Sequence, residues 1–304
     1  MPCMLFVFGS INLDLAFSAP SLPLAGQTVL GTGMRASPGG KGANQAHAAQ
    51  RYGLATALVG AVGNDDFARP ALVNLQSAGV DLSGLQRLAG ATGCAGIVVD
   101  AGGQNQIVVA PGVNLELRHA AVTAQQLSRA RAVLLQMETD PAQNLALLAR
   151  ARQQGCLTAL NNAPAQALPP AMWGMLDLLI VNQSELQVTA QGAGLGAGST
   201  TAWLRAISML GPARVVLTLG QAGALACDHG TMLHVDAMAV RALDTTGAGD
   251  TFTGVWVAAL VEGRTMADAL SRASTAAGLA CTRPGAQTAQ PDRVEIEAAL
   301  ARSG

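Results

Sequence analysis

Aromatic side chains are scarce in this chain, at 3% of its 304 residues. The core must therefore be aliphatic, and Ala supplies much of the 50% apolar fraction. Charge is nearly balanced, at a formal net of −1. No strong field exists to attract nucleic acid or an anionic membrane, so neither is expected as a partner. Arg129, Arg131, Arg150 and Arg152 are scattered and read as solvated helix faces. The five cysteines (Cys3, Cys94, Cys156, Cys227 and Cys281) are odd in number, far apart and form no CxxC. That excludes a disulfide framework or a zinc site and points to reduced thiols in the cytoplasm. The four histidines follow no ligand spacing. No apolar run approaches the ~20 residues needed to cross a bilayer. The apolar start Met1–Phe8 lacks a basic flank and a small-residue cleavage site, so it reads as a buried strand and not a signal peptide. Repeats are absent. So is GxxxxGK[ST], the Walker-type phosphate loop, and no GxGxxG opens a helix after the first strand.

What is present is an alternation of short apolar runs with helix-like segments. Strands are expected at Leu5–Phe8, Ala55–Val59, Ala132–Gln136, Thr158–Asn161, Leu178–Val181 and Val215–Leu219. Helices are expected at Lys41–Tyr52, Phe67–Ser77, Pro141–Gln153, Thr251–Glu262 and Ala267–Cys281. Asp140-Pro141 starts the third of these helices and Gly155 stops it. This rhythm predicts a mostly parallel sheet covered on both faces, within one domain spanning 1–304. Two regions break it. Asn12–Ala36 is rich in Pro, Gly and Thr. In Gly96–Val109, two β-branched runs flank Gly102-Gly103 as in a hairpin. Both are expected to form a small second sheet, with lid strands within about 12–36 and 92–111, able to keep water off a reacting centre. An exposed lid of this kind pairs readily with its twin, so a homodimer is expected.

Two glycine clusters carry the chemistry. In Asp244-Thr245-Thr246-Gly247-Ala248-Gly249-Asp250-Thr251-Phe252-Thr253-Gly254, the glycines permit a tight turn with bare N–H groups ahead of a helix. Such a turn forms an anion site. Asp250 beside it is either a general base for an attacking hydroxyl or a plain helix cap, and the residues alone favour neither. In Pro38-Gly39-Gly40-Lys41-Gly42-Ala43-Asn44-Gln45-Ala46, Lys41 and Asn44 share a helix face and could bind vicinal hydroxyls. An ordinary turn with a surface lysine is the plainer reading.

The second cluster, from Gly39 to Ala46, resembles the first signature of the PfkB-type carbohydrate kinases in their ribokinase form. Asp244–Gly254 resembles the second signature, DTTGAGDTFxG, without mismatch. Gly9–Asp14, Asn161–Ala165 and Thr282–Gln287 are similar to the corresponding family segments, and the likeness runs from about residue 5 to residue 300. It implies a ribokinase-like three-layer αβα sandwich with a small β-sheet lid. It also implies ATP-dependent phosphorylation of a sugar, D-ribose at O5 above all, with Asp250 as base and the 247–249 turn (Gly247, Ala248, Gly249) as anion hole.

By position, the resemblance makes Asn12, Asp14, Gly40, Lys41, Asn44 and Glu138 sugar ligands. Asn182, Thr218, Gly220, Gly223 and Ser274 fall on nucleotide contacts. Glu185 falls on a magnesium ligand acting partly through water, although Asn182 and Glu185 also have the spacing of a capping box. Asp244, Thr246, Ala280, Arg283, Gly285 and Ala289 match a potassium site. Two departures stand out: Asn162 where the family has Pro, and Pro111 ahead of Gly112-Val113-Asn114. Deoxyribose, a nucleoside or fructose are alternative acceptors. A sugar-binding regulator without activity is the reading from another class, and an intact Asp250 argues against it.

Overall fold

The computed structural model describes residues 4–303. The first three residues of the expected opening run, Cys3 among them, lie outside the described residues. The main sheet has eight strands in the order Thr231–Val235, Ala224–Asp228, Arg214–Thr218, Leu178–Asn182, Leu157–Asn161, Ala130–Gln136, Met4–Phe8 and Ala55–Val59. The last six run parallel, and the first two add an antiparallel edge. The parallel strands are apolar on both faces because both faces are covered by helices. One core lies beneath the helices Lys41–Arg51, Ala68–Ala78, Ala248–Val261 and Met266–Ala280. The other lies beneath Pro141–Gln153, Gln183–Gly192 and Thr200–Ser208.

Local chemistry fixes the helix starts. Asp140 accepts a hydrogen bond from the Ala142 N–H at 2.9 Å, with Pro141 in the first turn, as the sequence leads one to expect. The helix read from Thr251 onward begins earlier, at Ala248. Its N-cap is Gly247, in the left-handed region at φ 72°, which places Asp250 inside the first turn.

A second sheet stands off the first. Its order is Gly33–Gly39, Asn12–Ser18, Gly93–Val99 and Asn105–Ala110. The last two strands pair antiparallel around the Gly102-Gly103 turn. Pro38 lies in an edge strand, where a missing N–H is tolerated. Exposure rises along Asn12–Ser18, from buried Asn12 and Leu13 to exposed Phe17 and Ser18, so the sheet is rooted in the body and projects from it. No helix of the described residues is long and apolar enough to cross a membrane.

Candidate active site

Polar side chains converge where the parallel strands end. Gln136, Asn161, Asn182 and Thr218 each close a strand, and open α/β sheets hold ligands at those carboxyl ends. A cleft of about 140 Å³ lies there. Lys41, Asn182, Glu185, Thr218, Gly247, Gly249 and Asp250 all line it. A larger hollow at the amino ends of these strands, near Arg131 and Arg214, contains none of these residues.

Asp250 is buried, at 8% exposed. Its side chain caps nothing. Oδ2 accepts from Asn44 Nδ2 and Oδ1 from Gln45 Nε2, each at 2.9 Å. The cap reading of the sequence is thereby removed. The N–H groups of Gly247, Gly249 and Asp250 have no hydrogen-bond partner among the described residues. Ala248, expected to offer a third bare N–H in the 247–249 turn, instead donates it to the Thr245 carbonyl at 3.2 Å, because the turn closes there. Gly247 is required twice over. Its φ is positive, and a methyl group on it would lie 2.9 Å from the Ala286 side chain.

On the lid side, Asn12 Oδ1 accepts from Asn114 Nδ2 at 2.8 Å, and Asn114 also brackets the Ile11 backbone. Asn114, the end of the departing segment Pro111–Asn114, thus steadies Asn12. Asp14 lies against Gly39, where a methyl group would collide with its carboxylate. Glu138 accepts from the Ser10 hydroxyl at 2.5 Å and from the Lys41 N–H at 3.0 Å. Gly40 takes φ 89° beneath the Asn12 backbone.

The electrostatics follow from three carboxylates around one ammonium, with Asp14 as a fourth acid beside Glu138 and Asp250. Burial, then Glu138 and Asp250, push the Asp14 carboxyl up to about 7. Burial works against the charge on Lys41, but Asp250, Glu138 and Glu185 outweigh it and hold the ammonium above the ordinary lysine range. Lys41 is the only lysine in the chain. Glu185 is pushed up by burial and by Asp250, although the Asn182 N–H and Lys41 oppose this.

Asn182 and Glu185 do form the capping box: Asn182 Oδ1 accepts from the Glu185 N–H, and Glu185 Oε2 accepts from the Asn182 N–H. Glu185 Oε1 has no hydrogen bond among the described residues. After Thr218 the chain turns through Gly220 and Gly223, both at positive φ, and a side chain at Gly223 would strike the Val235 carbonyl. Ser274 sits apart from the cleft lining and donates its hydroxyl to the Asp236 carbonyl.

Asp244 joins two loops, accepting from the Thr246 N–H at 2.9 Å and the Gly285 N–H at 2.7 Å. Burial raises its carboxyl, but these donors and the nearby Arg35 charge outweigh burial and keep it below the usual range. The Ala280 carbonyl is engaged by the Arg283 N–H, Ala289 is fully buried, and the Arg283 side chain pairs with Glu295. No cluster of metal-ligating His, Cys, Asp or Glu side chains occurs among the described residues. Asn114, Asn161 and Gln287 stand in segments the sequence singles out, but neither they nor Gln136 receive a role there, because buried amides carry no spacing signal of their own.

A family model described as pfkB family carbohydrate kinase matches residues 3–293. The ribokinase of Haemophilus influenzae is 33% identical over 298 residues, covering 96% of each chain. The ribokinase of Mus musculus is 34% identical, covering 97% of this chain and 94% of its own. The solved structure of Thermotoga maritima ribokinase superposes with a TM-score of 0.91 at 32% identity, covering 98% of this chain and 99% of that one. Arabidopsis thaliana ribokinase, solved with ribose and ATP, superposes with a TM-score of 0.90 at 27% identity, covering 99% of each.

Proposed function

The chain belongs to the pfkB family of carbohydrate kinases, and from that premise we propose that it phosphorylates D-ribose at O5 with ATP, Asp250 acting as general base. One observation carries the reading: a buried carboxylate aimed by two amides lies in the same helical turn as the unpartnered N–H groups of Gly247 and Gly249. Phosphoryl transfer asks for positioning and charge stabilisation more than covalent help. A sugar hydroxyl beside Asp250 loses its proton to the carboxylate as the incoming phosphoryl meets the bare amides. Asn12, Asp14, Gly40, Lys41, Asn44 and Glu138 would hold the sugar under the lid. Their polar lining, with no aromatic wall, suits a small polyol better than a nucleoside. Deoxyribose remains the nearest alternative acceptor, and a deoxyribokinase of Salmonella typhi is 28% identical to this chain.

ATP would lie across Asn182, Thr218, Gly220 and Gly223 toward the Ser274 helix. Glu185 fits magnesium, since it is half-buried and has one carboxylate oxygen that accepts no hydrogen bond among the described residues. When bound, that ion neutralises phosphate charge. The carbonyls of Thr246, Arg283 and Gly285, unengaged among the described residues, suit a weakly hydrated potassium ion beside Asp244, with Ala280 and Ala289 nearby. Exposed Phe17, Met34, Ile107 and Val108 on the lid support dimerisation through that sheet. The four described cysteines are free, which supports a cytoplasmic setting.

The test is ADP release with magnesium over a panel of ribose, deoxyribose, fructose, adenosine and uridine, in potassium and in sodium at one ionic strength. Ribose should be preferred and potassium should raise the rate. Asp250→Asn should lower kcat by roughly 10² to 10⁴ with sugar affinity retained. Unchanged turnover would remove Asp250 from the base's role.

A further inference from the structure

Gln45 is fully buried, follows Asn44 on the Lys41–Arg51 helix, and bonds to Asp250 and to the last residues of two strands, Gln136 and Asn161. Its Nε2 donates to Asp250 Oδ1 and to Asn161 Oδ1, both at 2.9 Å. Its Oε1 accepts from Gln136 Nε2 at 2.7 Å. The amide orientations are forced. A carboxylate only accepts, so Gln45 must present its NH₂ to Asp250 and its oxygen to Gln136. Independently, Asn161 Nδ2 donates to the Ile180 carbonyl at 3.2 Å, which turns Asn161 Oδ1 toward Gln45. The chain of donors is therefore self-consistent from the ends of two strands to one oxygen of Asp250. Asn44 holds the other oxygen, but it is also one of the proposed sugar ligands. Gln45 is wholly interior and can make no substrate contact.

We propose that Gln45 is a positioning residue for Asp250. It fixes the carboxylate's rotamer from behind and leaves the cleft side of the carboxylate free for the acceptor hydroxyl. This rests on Asp250 being the base. A misplacement on the order of 1 Å at a reacting group costs up to roughly 10²-fold in rate. The effect therefore belongs in kcat, not in sugar affinity.

The test compares Gln45→Met and Gln45→Glu in the intact protein, with wild type in the same assay so that failure of the kinase reading is seen separately. Gln45→Met should lower kcat by roughly 10²-fold while the sugar Kd from calorimetry moves less than about threefold. Gln45→Glu places a second carboxylate against Asp250. When it gains a proton, its O–H donates where the amide did. The ratio of Gln45→Glu to Gln45→Met activity should therefore rise as pH falls from 8.5 to 6. Loss of packing alone cannot produce that trend. Gln136→Leu, which unties Gln45 without touching Asp250, should show the same kcat-selective loss and serves if the Gln45 variants fail to fold. Wild-type kcat in Gln45→Met, a pH-independent ratio, or a Gln136→Leu loss confined to KM would each overturn the proposal.

Discussion

Gly254 lies directly on the backbone of Gln45: a methyl group there would come within 2.5 Å of the Gln45 carbonyl oxygen and 2.8 Å of the Ala48 side chain. The contact sets the distance between the two helices that carry Asp250 and its amide partners. Gly254→Ala must push them apart. Overpacking of this kind destabilises by about 1–3 kcal/mol. Chemical denaturation should show that loss, and kcat should fall with it because Asp250 is displaced from Asn44 and Gln45. A variant with native stability and native kcat would mean that the helix spacing does not govern the site.

Gly249 is the opposite case. A side chain there meets nothing within 4 Å, because the position opens into the cleft. Gly249→Val should fold with its unfolding midpoint nearly unchanged and yet lose turnover by roughly 10²-fold or more, as when an anion-hole donor is lost. Steady-state kinetics and a denaturation curve on one preparation separate the two effects. Normal turnover would contradict the assignment of the 247–249 turn.

Much of this was legible in the chain because its logic is local. The Asp140-Pro141 start gave a helix read at its observed bounds, Pro141–Gln153. Ala55–Val59 was equally plain, as an apolar run between turn residues. Asp250, Lys41 and Asn44 stood out through the glycines beside them. The edge hairpin Ala224–Asp228 with Thr231–Val235 did not. Its turn places His229 and Gly230 at positive φ, and His-Gly lacks the Asn-Gly or Asp-Gly signature of such turns. The helix Gln183–Gly192 announced itself only through Asn182 and Glu185, whose spacing serves cap and site alike. Gln136, Asn161 and Gln287 reach Asp250 or its partners only through tertiary packing, which no spacing in the sequence encodes.

Asp14 links pH to stability. Its folded-state value, about 7, stands above the ordinary 3.8, chiefly through burial and then the charges of Glu138 and Asp250. Between those values the folded chain holds a proton that the unfolded chain has lost. Stability from this group is complete below about pH 4 and is lost as pH rises toward 7. Asp14→Asn removes the penalty. The sugar-free variant should unfold at a higher temperature than wild type at pH 8, with a gap that narrows steadily on going down to pH 4. Sugar affinity should fall at the same time, since Asp14 is proposed to hold the substrate. A gap that stays constant with pH would show that Asp14 ionises as it does in an unfolded chain.

Asn162 stands where the resembling family has proline, and the structure shows what the asparagine does instead. Its side chain is fully buried. Nδ2 donates to the Gln166 carbonyl at 3.0 Å and to the Thr189 hydroxyl at 2.9 Å, and Oδ1 accepts from the Gln166 N–H at 3.2 Å. A loop that proline would stiffen through its ring is here stiffened by two hydrogen bonds within itself, to Gln166, and one to Thr189 of the helix Gln183–Gly192. Asn162→Ala strands those groups in a dry setting, at about 1–3 kcal/mol for the unsatisfied partners. Because none of the bonds reaches Asp250 or the 247–249 turn, kcat and the sugar KM should stay within about twofold of wild type while the urea midpoint falls. A large kinetic defect with full stability would instead place Asn162 in the substrate pocket.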